Sequence, residues 1–238
     1  IRNGLERRAT VKVFRDARLE LDEFLGTKEN MMRKLDLSEL QDNLELKNIQ
    51  VALRQMKKIE KQMNIWYKKK QSDLIKLGKK DMKIPTIEFI GEIDSILNED
   101  LDAKIDNKYT MLRKMINQLY RVKVEQDEEE DEKETASTRL ADILSISLEY
   151  LHNPALVLVF DLLGDEGRVR SFLLDPGVVS GPILASTSGA ILMSGTLFPP
   201  EMYSDLLQIP ENKRILMKEY ESPFLGDKRP VLVAKDVT

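Results

Sequence analysis

A chain of 238 residues with 42% hydrophobic side chains has enough apolar material for one large core or two smaller ones, which excludes wholesale disorder. The formal net charge of −4 excludes a globally basic surface, so any nucleic-acid site must be a local patch. With no cysteine and one histidine, His152, these residues cannot supply a disulfide framework, a thiolate nucleophile or a Cys- or His-rich metal site.

No apolar run reaches 18 residues, and the first residues lack the apolar core of a signal peptide, so no membrane partner is expected. A cytoplasmic protein is expected, nuclear if eukaryotic. The opening on Ile1, in mid-pattern and without Met, is the expectation for a cut chain.

In chain order, Leu5, Ala9, Val13, Phe14, Ala17, Leu21, Phe24 and Leu25 recur at three- and four-residue steps, which predicts an amphipathic helix stopped by Gly26. Ser38 and Gln41 have the spacing of a capping box. They open a long helix whose stripe is Leu46, Ile49, Leu53, Met56, Ile59, Met63 and Trp66, a repeat suited to antiparallel helix packing. Gly78 and Pro85 punctuate the chain beyond that helix. Further helices are predicted from about Thr86 to Asn98, Asn107 to Tyr120 and Thr138 to Tyr150. The acidic run from Glu125 to Glu134 repels itself and reads as a solvated loop. Met31, Met32, Met56, Met63, Met111 and Met115 read as core filler, and His152 as structural.

After His152 the period changes. Leu156 to Leu163 and Val169 to Leu174 predict two strands of a hairpin around Gly164 to Gly167. Asp175-Pro176 ends the second strand. A helix with Pro182 in its first turn comes next, from Val178 to about Ser186. Ala190 to Met193 predicts a short buried strand, Glu201 to Leu207 a helix, and Ile215 to Lys218 and Val231 to Val233 two more strands. The expected fold class is a helical domain followed by a partial α/β segment.

Arg54 to Lys83 holds eleven basic and three acidic side chains. One reading is a phosphate-contacting face using Lys57, Lys58, Lys61, Lys68, Lys69 and Lys70, with Trp66 or Tyr67 for stacking. The other is an ordinary solvated helix surface with Trp66 in the core stripe. The composition weighs the two evenly for the lysines and favours the core for Trp66.

The segment from Ser188 to Leu207 carries Ile191-Leu192-Met193, Ser194-Gly195-Thr196-Leu197, Pro199, Pro200, Met202 and Tyr203. Leu174-Asp175-Pro176 precedes it, and Glu221-Ser222-Pro223-Phe224 and Lys228-Arg229-Pro230-Val231 come after it. In that order, over about 80 residues, these motifs resemble ATP-driven DNA helicases of the XPD type, in superfamily 2.

The resemblance implies a helical arch-like insertion over 1–151, the end of a first RecA-like motor domain over 152–210, and the start of a second over 211–238. It implies a parent that uses ATP and magnesium, and in some members an iron–sulfur cluster, to unwind forked DNA 5′ to 3′ in repair or transcription. Single-stranded DNA and a protein at the arch are the implied partners. Ser194, Gly195 and Thr196 would couple hydrolysis to strand movement, and Ser222 and Phe224 would lie on the nucleic-acid path. Small hydroxyl residues at a strand's carboxyl end suit that role, because they can exchange hydrogen-bond partners.

No G-x-x-x-x-G-K-[ST] loop and no DEAH box occur, so this polypeptide by itself is expected not to hydrolyse ATP. A competing expectation is a helical adaptor that binds DNA or protein without a motor. Under the helicase reading, the strands after Leu156 are expected to have exposed edges without the rest of the motor sheet.

Overall fold

The computed structural model describes residues 7–35, 40–99, 109–124, 134–194, 197 and 199–220. Within these, five helices and one sheet form a first compact unit that runs to Pro176, and the residues from Gly177 form a second.

The first described element is a strand that the helical periodicity of the sequence conceals. Strand β1 spans Arg8–Thr10, and helix α1 comes directly after it as Val11–Leu35. The Thr10 hydroxyl accepts from the Val13 amide at 3.4 Å, marking the helix start. Gly26 does not stop α1; the helix runs on for more than two turns. A lone glycine costs a helix only about 1 kcal/mol relative to alanine, and the apolar stripe outweighs that. Met31, expected in the core, is 55% exposed in this extension.

Helix α2 spans Leu40–Lys76, and the proposed Ser38 cap lies outside the described residues. Strand β2 (Asp81–Ile84) and helix α3 (Thr86–Asn98) are next, the helix with the predicted limits. Helix α4 spans Thr110–Val124 and α5 spans Ala136–Glu149. The α5 start is held twice. Thr135 accepts from the Thr138 amide at 3.2 Å, while the Glu20 carboxylate of α1 accepts from the Ala136 and Ser137 amides at 2.9 and 2.7 Å. A carboxylate here satisfies orphan donors and meets the positive end of the helix dipole.

The predicted hairpin is present as β3 (Leu156–Leu163) and β4 (Glu166–Leu173), joined at Gly164-Asp165 with Gly164 at φ 61°. Its edges are not bare. The sheet is antiparallel throughout in the order β1-β4-β3-β2, with Ala9 opposite Val169 and Met82 opposite Phe160. The short strands from the helical half therefore close both sides of the hairpin, as edge strands commonly do. The hairpin, expected within the end of a first motor domain over 152–210, shares this first compact unit with the helices.

One face of the sheet, through Ala9, Leu158, Phe160, Gly167 and Val169, packs on the helices. There Phe14, Trp66, Tyr67, Phe89 and Phe160 form one aromatic cluster, with ring centroids 5.3–6.3 Å apart. The buried Tyr67 hydroxyl donates to the Ala9 carbonyl at 2.8 Å. Burial drives its pKa far above the ordinary tyrosine range, so it stays a neutral donor.

The second unit contains α6 (Gly177–Ser186) and α7 (Pro200–Leu206). Pro182 lies at the sixth position of α6 and not in its first turn, so one internal hydrogen bond is lost. The Ser180 hydroxyl donates to the Leu207 carbonyl at 2.9 Å, and the Lys213 ammonium donates to the Thr187 carbonyl at 2.6 Å. The strands expected at 190–193 and 215–218 do not form. Ile191 and Met193 are 84% and 86% exposed and Leu216 is 89% exposed, with no neighbouring strand among the described residues to pair with. The strand expected at 231–233 lies outside the described residues.

Two glycines should respond oppositely to alanine. At Gly167 an added Cβ would lie 2.7 Å from the buried Phe160 ring and 3.2 Å from Tyr67, so Gly167→Ala should cost about 1–3 kcal/mol. At Gly26 nothing lies within 4 Å, and Gly26→Ala should stabilise by up to about 1 kcal/mol. Urea midpoints moving in the same direction in the two variants would contradict these assignments.

Candidate nucleic-acid interface

Helix α2 has 37 residues and is therefore about 55 Å long. Its inner face is the predicted stripe: Ile49, Leu53, Met56, Ile59, Met63 and Trp66 are buried, joined by Tyr67 and Leu74. This burial fixes the helix phase, and the direction of the outer face with it. From Leu44 to Lys76 the exposed positions include Lys47, Arg54, Lys57, Lys58, Lys61, Lys68, Lys69 and Lys76, and no acid. On a helix of 100° per residue these eight bases fall within an arc of about 120°.

The three acids of this stretch are turned away. Glu60 pairs with Arg18 of α1 at 2.5 Å. Glu45 pairs with Lys28 at 3.8 Å and Arg121 of α4 at 2.7 Å. Asp73 is half-buried. The result is a basic ridge, with Lys47 and Lys76 about 43 Å apart along the axis.

The six lysines expected at a nucleic-acid face divide three ways. Lys57, Lys61, Lys68 and Lys69 are exposed and make no ion pair among the described residues. Lys58 is exposed and pairs with Glu99 at 3.4 Å, an exposed contact of the kind that contributes little. Lys70 is structural. It pairs with Glu88 of α3 at 2.5 Å and lies 5.4 Å from the Trp66 ring centroid.

Stacking on Trp66 or Tyr67 is ruled out by their burial, at 5% and 2% exposure. Lys47, Arg54 and Lys76 belong to the ridge although the densest lysine run does not include them. Extending the helical phase beyond that run finds them.

The other expected site residues are placed as follows. Ser194 is exposed in the second unit. Gly195, Thr196, Ser222 and Phe224 lie outside the described residues. His152 lines a shallow surface groove with Tyr109, Arg113, Glu149 and Asn153. Among the described residues, no cluster of three or more metal-ligating side chains forms, and no helix is long and apolar enough to cross a membrane.

The outer face of the sheet holds a second charged cluster. Arg168 binds both oxygens of Asp161 at 2.9 Å, and Arg170 binds one of them at 2.6 Å while lying 4.9 Å from the Phe172 ring centroid. Burial alone would raise the Asp161 pKa, but the two guanidinium groups outweigh it and hold the carboxyl below its ordinary value. These arginines are committed to a carboxylate on the neighbouring strand, so the cluster pins β3 to β4.

Comparison with protein-family models gives no match, and no curated protein matches the chain.

Because the native Asp161 pKa is lowered, its contribution to stability is complete above the ordinary value of 3.8 and is lost as pH falls below it. Asp161→Asn should therefore be less stable than the wild type at pH 6, with a smaller loss on going to pH 3. Parallel urea-midpoint curves over that range would remove Asp161 from the acid response.

Proposed function

We propose that this chain is the arch-like helical insertion and coupling segment of an ATP-driven DNA helicase of the XPD type, with the α2 ridge guiding nucleic acid. The observation that carries the nucleic-acid part is the ridge itself: eight exposed bases on one face and no exposed acid. A solvated helix surface ordinarily mixes both signs, and a face of one sign attracts counterions that a polyphosphate can replace.

The motor part rests on the ordered motifs from Leu174-Asp175-Pro176 through Ser194-Gly195-Thr196-Leu197 to Lys228-Arg229-Pro230. The exposed run Ile191 to Met193 also supports it, since further strands of a RecA-like sheet would cover such residues. In this reading the hydroxyls of Ser194 and Thr196 exchange partners between the nucleotide-site carboxylates and the nucleic-acid face, and Gly195 allows close backbone approach. ATP and magnesium belong to the parent, since these residues contain no phosphate-cradling glycine loop. An iron–sulfur cluster would need ligands from elsewhere in the parent, because this chain has no cysteine.

A second reading, a motorless adaptor that binds DNA or protein, draws on the first unit. There β1 and β2 close the hairpin without help from a motor sheet.

The two readings separate in the longer protein that the first implies. Thr196→Ala should leave ATP binding intact and abolish coupled unwinding of a forked duplex. Full unwinding by that variant would refute the coupling role, and a wild type without ATP hydrolysis would favour the adaptor.

A further inference from the structure

We infer that the α2 ridge takes single-stranded nucleic acid through its phosphates alone, indifferent to base and sugar. The inference rests on the nucleic-acid reading of α2 and narrows it to a substrate class.

The exposed positions between Leu44 and Lys76 include no aromatic side chain, because Trp66 and Tyr67 both point into the core. Base stacking, the usual second component of single-strand binding, has no platform here. Seven of the eight bases are lysines, which act as point charges and do not offer the planar bidentate fork that reads guanine edges. Between them lie the aliphatic Val51, Ile65 and Ile75 and the polar, uncharged Asn48, Gln50, Asn64 and Ser72. Of the three amides, Asn48 and Gln50 point about 160° apart around the helix, and Asn64 lies about 21 Å beyond Gln50 along the axis, so no two converge on one base. What the ridge offers along its length is positive charge.

The geometry favours a single strand over a duplex. Successive bases are never more than seven residues apart, so no gap exceeds about 10.5 Å over a line of roughly 43 Å. That line is straight. The phosphates of a B-form strand wind around their axis and leave a straight ridge at each groove, so a rigid duplex meets only part of it. A single strand can straighten and track it throughout.

The test uses the whole 238-residue chain without nucleotide, titrated with a labelled oligothymidylate of about 15 nucleotides, the upper end of comparable site sizes. Its competitors are oligouridylate, a mixed-sequence single strand, the same sequence as a peptide nucleic acid with an uncharged backbone, a duplex, and polyglutamate. Oligouridylate and the mixed strand should compete within about threefold of oligothymidylate, and the peptide nucleic acid should not compete. With eight phosphates neutralised, the slope of log K against log salt should be about −5 to −6, at roughly −0.7 per contact.

The variant Lys57→Gln/Lys61→Gln/Lys68→Gln/Lys69→Gln should lose about 3 from the magnitude of that slope, with unchanged helix content. Four results would overturn the inference: competition by the peptide nucleic acid, a base preference above about tenfold, tighter binding of the duplex, or equal binding of polyglutamate. Because no ATP is present, failure of the motor reading would leave these measurements unaffected.

Discussion

The paired burial of Trp66 and Tyr67 governs much of the first unit. Adjacent residues on a helix point 100° apart, so a helix that buries both must dip into the core between two sets of neighbours. Trp66 reaches Phe89 of α3 and Phe160 of β3, while Tyr67 reaches Phe14 of α1 and the carbonyl of Ala9. One turn of α2 thereby fixes the positions of three other elements and the middle of β1. It also fixes the rotation of α2 about its own axis. The outward direction of the lysines is a consequence of that aromatic contact, with no separate device needed to display them.

The same core explains why the hairpin belongs with the helices. Phe160 projects from β3 into the aromatic cluster, and Gly167 opposite Leu162 leaves the space that its ring and Tyr67 fill. On the other face, Asp161 ties the two strands through Arg168 and Arg170. Adjacent residues Phe160 and Asp161 thus serve opposite faces, one by apolar packing and one by charge. The alternation of a strand makes this division possible. Asp161 is only 7% exposed, so its charge depends on the bidentate pair with Arg168 and the second contact from Arg170 to offset the loss of water.

Much of this was legible in the sequence because it depends on long, regular repeats. The α2 stripe, the limits of α3 and the Leu156–Leu163 strand all derive from local periodicity. The parts that were not legible depend on partners distant in sequence. Arg8-Ala9-Thr10 reads as helix and becomes a strand only because Val169 and its neighbours pair with it. Asp81 to Ile84 is too short, and too polar at Asp81 and Lys83, to announce itself. Gly26 misled because a local breaker was outweighed by apolar burial along α1. Ile191 to Met193 misled in the other direction, since an apolar run forms a strand only beside another strand. In the interface, the lysine cluster was visible, but which lysines were already engaged depended on Glu88 and Glu99 from α3 and its end.

The strand order β1-β4-β3-β2 has a consequence for how the molecule is made. The outer strands are synthesised first and the inner pair last, with roughly 160 residues between Ala9 and its partner Val169. A ribosome releases α1, α2 and α3 well before the hairpin that completes their core. Until then Trp66, Tyr67 and Phe14 face an unfilled space where Phe160 will sit. Contacts so distant in sequence are slow to form, because the connecting chain must first lose its freedom. The nascent helical half therefore waits with its aromatic surface uncovered, and in the cell this interval is when it most needs shielding from other chains.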